Sequence, residues 1–342
     1  MKELLGEGIG QGPLKLTGIN LEISSRCNLN CRHCFRKTYI SAGKDELMDS
    51  EILNNIMPEL KRLHSIDLTG WGEPLLHPQF GKILKDIRRN FPGALSFTTN
   101  GVLMNEEIAN HILEAEVDNV CFSVDAADDE SYREARGRYW DKLEKAISEL
   151  AYKKKVRGRG IPRIYASFLL KKSRLKELYR FGEKMTQLML NGIILQQMTG
   201  VFSLVDLNEI TYAGYYGEKF DEDSFWRGIR ELKEELNYLQ TIGPERIYSQ
   251  PQSGCGGFPL GHLFIKANGK VSPCCTLGYP VLLLNRKKEL RPANLLILGD
   301  IKTQSLEEIW ESPAAVSFRE EMTQKGYAEA CGDCIGLYMR RS

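Results

Sequence analysis

No stretch of this chain approaches the ~20 consecutive apolar residues that a membrane-spanning helix requires. Its opening residues, MKELLGEGIGQGPLKLTG, contain no apolar core long enough for a secretory signal. Net charge is almost absent: 46 basic residues against 45 acidic ones leave +1, so no field of one sign favours a nucleic-acid backbone or an anionic membrane. Low-complexity segments are missing too, and a composition 42% hydrophobic and 27% charged excludes disorder. These absences predict a cytoplasmic globular protein of two domains, since 342 residues exceed the roughly 100 to 200 of one domain. Its partner is expected to be a small molecule or a peptide, not nucleic acid and not a membrane.

What is present is cysteine. Nine occur, most of them in two groups, and in a reducing compartment such groups hold metal centres more readily than disulfides. The first group, Cys27, Cys31 and Cys34, lies in the stretch ISSRCNLNCRHCFRK. An electron-transfer 4Fe-4S cluster is normally closed by four thiolates, so three ligands imply an iron with one position open to something from outside the protein. On spacing alone a zinc site or reduced core thiols remain alternatives.

From about residue 19 to 198 short apolar, β-rich runs alternate with amphipathic helical stretches. The predicted strands are 19–24, 65–69, 94–98, 119–124, 163–170 and 192–197, and the predicted helices lie near 49–63, 77–90, 105–115, 129–152 and 173–188, with Asp49, Asn105 and Ser173 as caps. Strict alternation argues for a parallel sheet with helices outside. The expected fold class is therefore α/β, a partial (β/α)6 TIM-type barrel. In such barrels function collects in the loops after the strands, and the unusual residues fall there: the cysteine triplet, TGWGEP, TTNG and SVDA. The basic run KKKVRGRG at 153–160 precedes a strand and reads as a solvated loop on the opposite face. Residues 1–200 are expected to form the barrel, 201–250 a connector with a helix from Asp223 to Leu239, and 251–342 a small α+β iron-sulfur domain. In that last part HLFIKANGKVSPCC alternates around Asn268-Gly269, a hairpin signal, and Ser305 to Gln324 reads as one helix opened by a Ser305/Glu308 capping box.

The spacing C-x3-C-x2-C, with the aromatic His33 before the third cysteine, resembles the radical S-adenosylmethionine (SAM) enzymes. The resemblance implies that Cys27, Cys31 and Cys34 hold a 4Fe-4S cluster whose open iron chelates SAM and whose electron cleaves it to a 5′-deoxyadenosyl radical. Gly70-Trp71-Gly72-Glu73-Pro74 resembles the family's Gly-Gly-Glu-Pro motif, with Trp71 in place of its first glycine. That departure puts the backbone contact at Trp71 in question. The likeness implies that this loop meets the methionine moiety and that Glu73 accepts from its ammonium group. Thr98, Thr99, Asn100, Ser123 and Asp125 stand where the family places polar cofactor contacts, although Asn-Gly and Asp-Ala are equally turn residues. Arg133 and Arg136 read as solvated helix residues.

Cys255, then Gly269 and Cys274, resemble the opening of the SPASM or twitch domains that carry auxiliary clusters. By that resemblance Cys255, Cys274, Cys331 and Cys334 hold one fully ligated 4Fe-4S cluster, with structural zinc as the rival. Cys275 is left over, either an inert thiol or a tentative catalytic donor, and Cys121 reads as core.

Together these motifs imply a radical SAM enzyme with two 4Fe-4S clusters, SAM, and an electron donor such as flavodoxin or ferredoxin. The brevity of the segment before the first strand, fewer than twenty residues where many peptide-modifying relatives carry a leader-binding domain, tilts the substrate toward a small polar molecule such as a sugar or aminocyclitol. The expected reaction is a two-electron dehydrogenation. A peptide maturase or epimerase, and a non-catalytic metal-binding scaffold, are the alternatives.

Overall fold

The architecture comes from a computed structural model, which describes residues 14–39, 45–252, 255, 260–332 and 334–340. Strands β1 (Gly18–Leu21), β2 (Ser65–Asp67), β3 (Ala94–Thr99), β4 (Asn119–Ser123), β5 (Arg163–Leu169) and β6 (Gly192–Gln196) follow one another in space as in sequence, all parallel. Short helix α1 (Arg36–Tyr39) follows the cysteine loop. Helices α2 (Ser50–Ile56), α3 (Phe80–Asn90), α4 (Glu106–Glu114), α5 (Asp129–Ala135), α6 (Trp140–Val156) and α7 (Leu178–Gln187) then cross between strands. The caps act at two of the three expected positions: Asp49 accepts from Glu51 N and Asn105 from Ile108 N. Ser173 instead lies inside a 3-10 turn, Lys172–Glu177, that precedes α7.

Period-two alternation divides each strand between two environments. On β4, Val120 and Phe122 are buried against the helices, while Asn119, Cys121 and Ser123 face the barrel lumen. Cys121 is therefore not core packing. On α3, Phe80, Ile83, Leu84 and Ile87 repeat with helical spacing and are buried against the sheet. Each such side chain contributes about 1.5 to 3 kcal/mol.

Several elements differ from expectation. Residues 129–152 form two helices, because the chain turns at Gly137 with φ +111°, a backbone that favours glycine. Helix α6 runs on to Val156, so Lys153, Lys154 and Lys155 occupy a helical last turn, where their charge complements the helix dipole. The presumed connector contains α8 (Glu222–Glu235), β7 (Gln240–Ile242), which extends the parallel sheet beyond β6, and β8 (Arg246–Ile247).

The C-terminal part is equally continuous with the sheet. Its hairpin, β9 (His262–Ile265) and β10 (Lys270–Ser272), turns at Gly269 with φ +88°, and β9 pairs in parallel with β1 from Gly18↔His262 to Leu21↔Ile265. A smaller ladder follows in β11 (Leu282–Leu284) and β12 (Leu290–Pro292). Strand β13 (Gly299–Asp300) then joins β10 to complete the edge of a ten-stranded sheet. The predicted 305–324 helix is α9 (Leu306–Trp310) and α10 (Pro313–Lys325), divided where Pro313 cannot supply the N–H to continue. The capping box of Ser305 and Glu308 is formed. Strand β14 (Met339–Arg340) closes the described chain by pairing with β8.

Candidate active site

A cavity of about 290 Å³ opens at the C-terminal ends of the barrel strands. Its wall brings together Cys27, Cys31, His33 and Cys34 from the loop after β1, with Trp71, Gly72 and Glu73 from the loop after β2. Thr98 and Asn100 enter from β3, and Ser123 and Asp125 from β4. Pro74 stands outside this wall; it is buried and opens a 3-10 turn, Pro74–Leu76, capped by the Glu73 side chain.

Both glycines of the second loop are required by close approach. A Cβ at Gly72 would stand 2.2 Å from Ser24 O, and one at Gly70 would stand 2.2 Å from Glu22 Cγ. Trp71 turns its ring onto Phe35, centroids 4.4 Å apart, and its Nε1 donates to Cys275 O at 3.2 Å.

Glu73 is 2% exposed, and both its oxygens are engaged within the protein. Oε1 accepts from Thr99 Oγ1 at 2.7 Å and Leu75 N at 3.1 Å, and Oε2 from Asn100 N at 2.7 Å. Burial pushes its carboxyl up to about 7 against those hydrogen bonds. The residue thus ties the end of β3 to the glycine loop. Asn100 in turn donates to Asn28 Oδ1 at 2.9 Å and approaches Cys27 Sγ at 3.8 Å.

Asp125 sits at φ +58° and is also spent internally. Oδ2 accepts from Arg136 Nε at 2.9 Å and Nη2 at 2.6 Å, and Oδ1 from Leu169 N at 2.8 Å. Arg136, read from sequence as a solvated residue, is largely buried with Nη1 3.8 Å from Cys31 Sγ. Burial opposes its charge, but Asp125 and the Cys31 sulfur outweigh it and hold the guanidinium above its ordinary value. Arg133 keeps the expected exposed position, paired with Asp129 at 2.6 Å. Lys171, which no motif singled out, also walls the cavity and its Nζ makes no hydrogen bond or ion pair among the described residues; burial and Arg174 depress its pKa. His33 is held down to about 4, by burial and then Lys171.

Burial raises the pKa of Cys27, Cys31 and Cys34, and each sulfur lies within electrostatic reach of another of the three. Among the described residues no three ligand-bearing side chains close on a single metal ion. Three thiolates on one loop would each bind a different iron of a 4Fe-4S cluster and leave its fourth iron open. In the C-terminal part Cys255, Cys274 and Cys334 likewise act on one another, and Cys255 acts on Cys331. Burial pushes Cys331 up to about 11 and Cys334 up to about 12. A Cβ on Gly336 would meet Cys255 Sγ at 3.3 Å and Cys334 Sγ at 3.5 Å. Cys275 also acts on Cys274 and Cys334; it packs against Phe264, Tyr279 and Val281, as Trp71 does, and is not part of the SAM cavity wall.

Below this cavity a second one, of about 300 Å³, occupies the barrel lumen. Asn20, Asp67, Ser96, Cys121, Tyr165 and Ser167 line it, and Thr98, Ser123 and Gln196 belong to both walls.

An open three-cysteine loop above a parallel partial barrel, facing a polar cavity, defines a class, and residues 21–165 match the Radical SAM superfamily. Residues 255–335 match SPASM, an iron-sulfur cluster-binding domain. The chain is accordingly a radical SAM enzyme with a C-terminal SPASM domain, and its cofactors are SAM, a SAM-binding 4Fe-4S cluster and auxiliary iron-sulfur chemistry. Over 332 residues it is 26% identical to the tungsten-containing aldehyde ferredoxin oxidoreductase cofactor-modifying protein of Pyrococcus furiosus, covering 92% of this chain and 86% of that one. Over 227 residues it is 25% identical to a GTP 3′,8-cyclase of Chlorobaculum tepidum, covering 64% and 60%. In fold it is similar to Streptococcus suis SuiB bound to S-adenosylmethionine, with a TM-score of 0.66, 14% identity, and coverage of 95% of this chain and 72% of that one. SuiB is also solved with its precursor peptide SuiA. No helix among the described residues is long and apolar enough to cross a membrane.

Proposed function

We propose that this radical SAM enzyme removes two electrons from a small polar substrate seated in the barrel lumen. The observation that carries the reading is the second chamber. The lumen of a TIM-type barrel is ordinarily filled by layers of Val, Ile and Leu. Here hydroxyls, amides and the Asp67 carboxylate share with Ile19, Phe97, Ile194 and Ile242 the wall of an open space that meets the upper cavity at Thr98, Ser123 and Gln196. Such a lining suits a polyhydroxylated or amide-bearing molecule.

In this reading Cys27, Cys31 and Cys34 hold the cluster that, when bound, supplies the electron that cleaves SAM and yields a hydrogen-abstracting radical. Lys171, on the wall and without a hydrogen bond or ion pair among the described residues, offers a partner for the methionine carboxylate. Thr98, Asn100 and Ser123 supply polar contacts, while Glu73 and Asp125 position the loops instead of meeting the cofactor directly. Oxidation by two electrons asks the substrate for one hydrogen atom, then a proton and a second electron. Cys255, Cys274, Cys331 and Cys334 would hold an auxiliary cluster, which would supply an acceptor for that electron when bound. Flavodoxin or ferredoxin is the expected external donor, in a cytoplasmic setting.

A second reading, modification of another enzyme's cofactor, is favoured by similarity over 92% of the chain to the Pyrococcus furiosus protein. It keeps a small polar substrate and changes its identity. The test is anaerobic reconstitution followed by chemical reduction with SAM. The expected outcome is release of 5′-deoxyadenosine, with a co-product two mass units lighter than its precursor when candidate small molecules are added. Failure to form 5′-deoxyadenosine would sink the enzymatic reading; turnover of peptides alone would replace the substrate class.

A further inference from the structure

A buried carboxylate outside both cysteine sites joins the two parts of the molecule. Glu22 follows β1, is 0% exposed, and belongs to neither the SAM cavity wall nor the cysteine sets. Its Oε1 accepts from Trp71 N at 2.8 Å, within the glycine loop. Its Oε2 accepts from Tyr279 Oη and from Ala267 N at 3.4 Å, both in the C-terminal domain. Lys266 Nζ stands 3.9 Å from the centre of the Tyr279 ring, and Glu22 N itself donates to Ile265 O at 2.9 Å.

The loop is pressed onto this carboxylate. The missing side chain of Gly70 is the space that Glu22 Cγ and Oε1 occupy, 2.2 and 2.5 Å from where a Cβ would lie. Trp71 is then held at both of its nitrogens, by Glu22 at the backbone and by Cys275 O at the indole, next to the cluster ligand Cys274. Three donors converge on two carboxylate oxygens. A glutamine could not answer them all, because its NH2 would face a donor. A buried carboxyl without an ion-paired cation is costly, so its placement is explained by what it holds.

We propose that Glu22 is a positioning residue through which the C-terminal domain sets the Gly70–Gly72 loop and thereby the affinity for SAM. This rests on the assignment of that loop to SAM binding. Tyr279 contributes one hydroxyl to Glu22 and is not part of the SAM cavity wall, so removing that hydroxyl tests the link.

The experiment uses the full reconstituted chain and SAM itself, with calorimetric titration and the EPR spectrum of the reduced, SAM-bound protein as readouts. Tyr279→Phe should retain all its iron yet bind SAM about three- to tenfold more weakly, the ratio one ordinary hydrogen bond carries. Glu22→Gln should lose more, about tenfold or beyond, and alter the SAM-dependent EPR signal. The double variant should be no worse than Glu22→Gln alone, because both changes break the same link. Unchanged SAM affinity in both variants, whatever their melting temperatures, would overturn the inference and leave Glu22 as packing. Additive losses in the double variant would overturn it too. Absence of SAM binding by the unaltered chain would overturn the functional reading along with it.

Discussion

The two cysteine sites differ in ligand count and in what surrounds them. Cys27, Cys31 and Cys34 share a wall with a cavity and with polar groups that have capacity to spare, Lys171 above all. The C-terminal set is packed in apolar surroundings: Cys255 and Cys331 lie against two hydrophobic clusters that include Ile335, Leu337, Phe318 and Met322. A site that must admit a ligand keeps one coordination position, whereas a site that only passes electrons is complete in its ligands. Cys331 and Cys334 also line a cavity, of about 260 Å³, so ligand count and not enclosure separates the two, and the pair of sites can be probed one against the other.

The largest expected effect comes from changing Cys27, Cys31 and Cys34 together to Ala. 5′-Deoxyadenosine formation should vanish while roughly half the iron remains, because the second set is separately ligated. Loss of nearly all the iron would show that the two sites do not assemble independently.

Next comes the buried pair that braces the open site. Asp125→Asn strands Arg136 without its partner and should cost about 3 to 5 kcal/mol of unfolding free energy, measured by denaturant titration of the metal-free chain. No change beyond experimental scatter would mean that the guanidinium finds water.

The seam between the regions should respond to pH. Burial, opposed by hydrogen bonds from Tyr279, Trp71 and Ala267, raises Glu22 from 4.5 to about 7. A carboxyl whose folded pKa exceeds its unfolded one contributes stability that is full below 4.5 and lost as pH rises through about 7. The loss is about 3 kcal/mol, at about 1.4 kcal/mol for each tenfold change in proton affinity. Glu73, raised to about 7 by the same cause, adds a like slope, so Glu22→Gln should remove about half of the loss between pH 4.5 and pH 7 in the metal-free chain; an unchanged slope would assign it to Glu73 alone.

The smallest effect belongs to the C-terminal side. Cys275 packs against Phe264, Tyr279 and Val281, and burial pushes its thiol up to about 11, which is poor chemistry for an acid or base near neutrality. Cys275→Ala should keep turnover and cost about 1 kcal/mol of stability. Arrested turnover with an off-pathway oxidised product would restore the hydrogen-donor role and favour an epimerase.

Much of this was legible in the residues. The six strand–helix units register as alternating period-two and helical patterns, and each strand boundary falls within a few residues of its reading. The cysteine loop and the glycine loop fall at strand ends because loops of parallel units must. What escaped depends on distant partners. Arg136 looks like any helix-end arginine until Asp125, held at φ +58°, points back to it. Glu22 left one faint trace, a carboxylate within the apolar run INLEIS, in phase with the lumen-facing Asn20. Cys121 was read as core because alternation marks two faces without saying which is hollow. Strand β7 is too short and polar, as QTI, to stand out from its surroundings.

The pairing of β9 with β1 has a consequence for biosynthesis. Thr17 Oγ1 bonds Gly261 O across 244 residues, so the flank of the first strand stays bare while most of the chain is still being made. Closing so long a segment costs little more at equilibrium than closing a shorter one, but it comes late. When the hairpin arrives, Tyr279 and Ala267 reach Glu22. A late-made part of the molecule thus completes the edge of the first-made part.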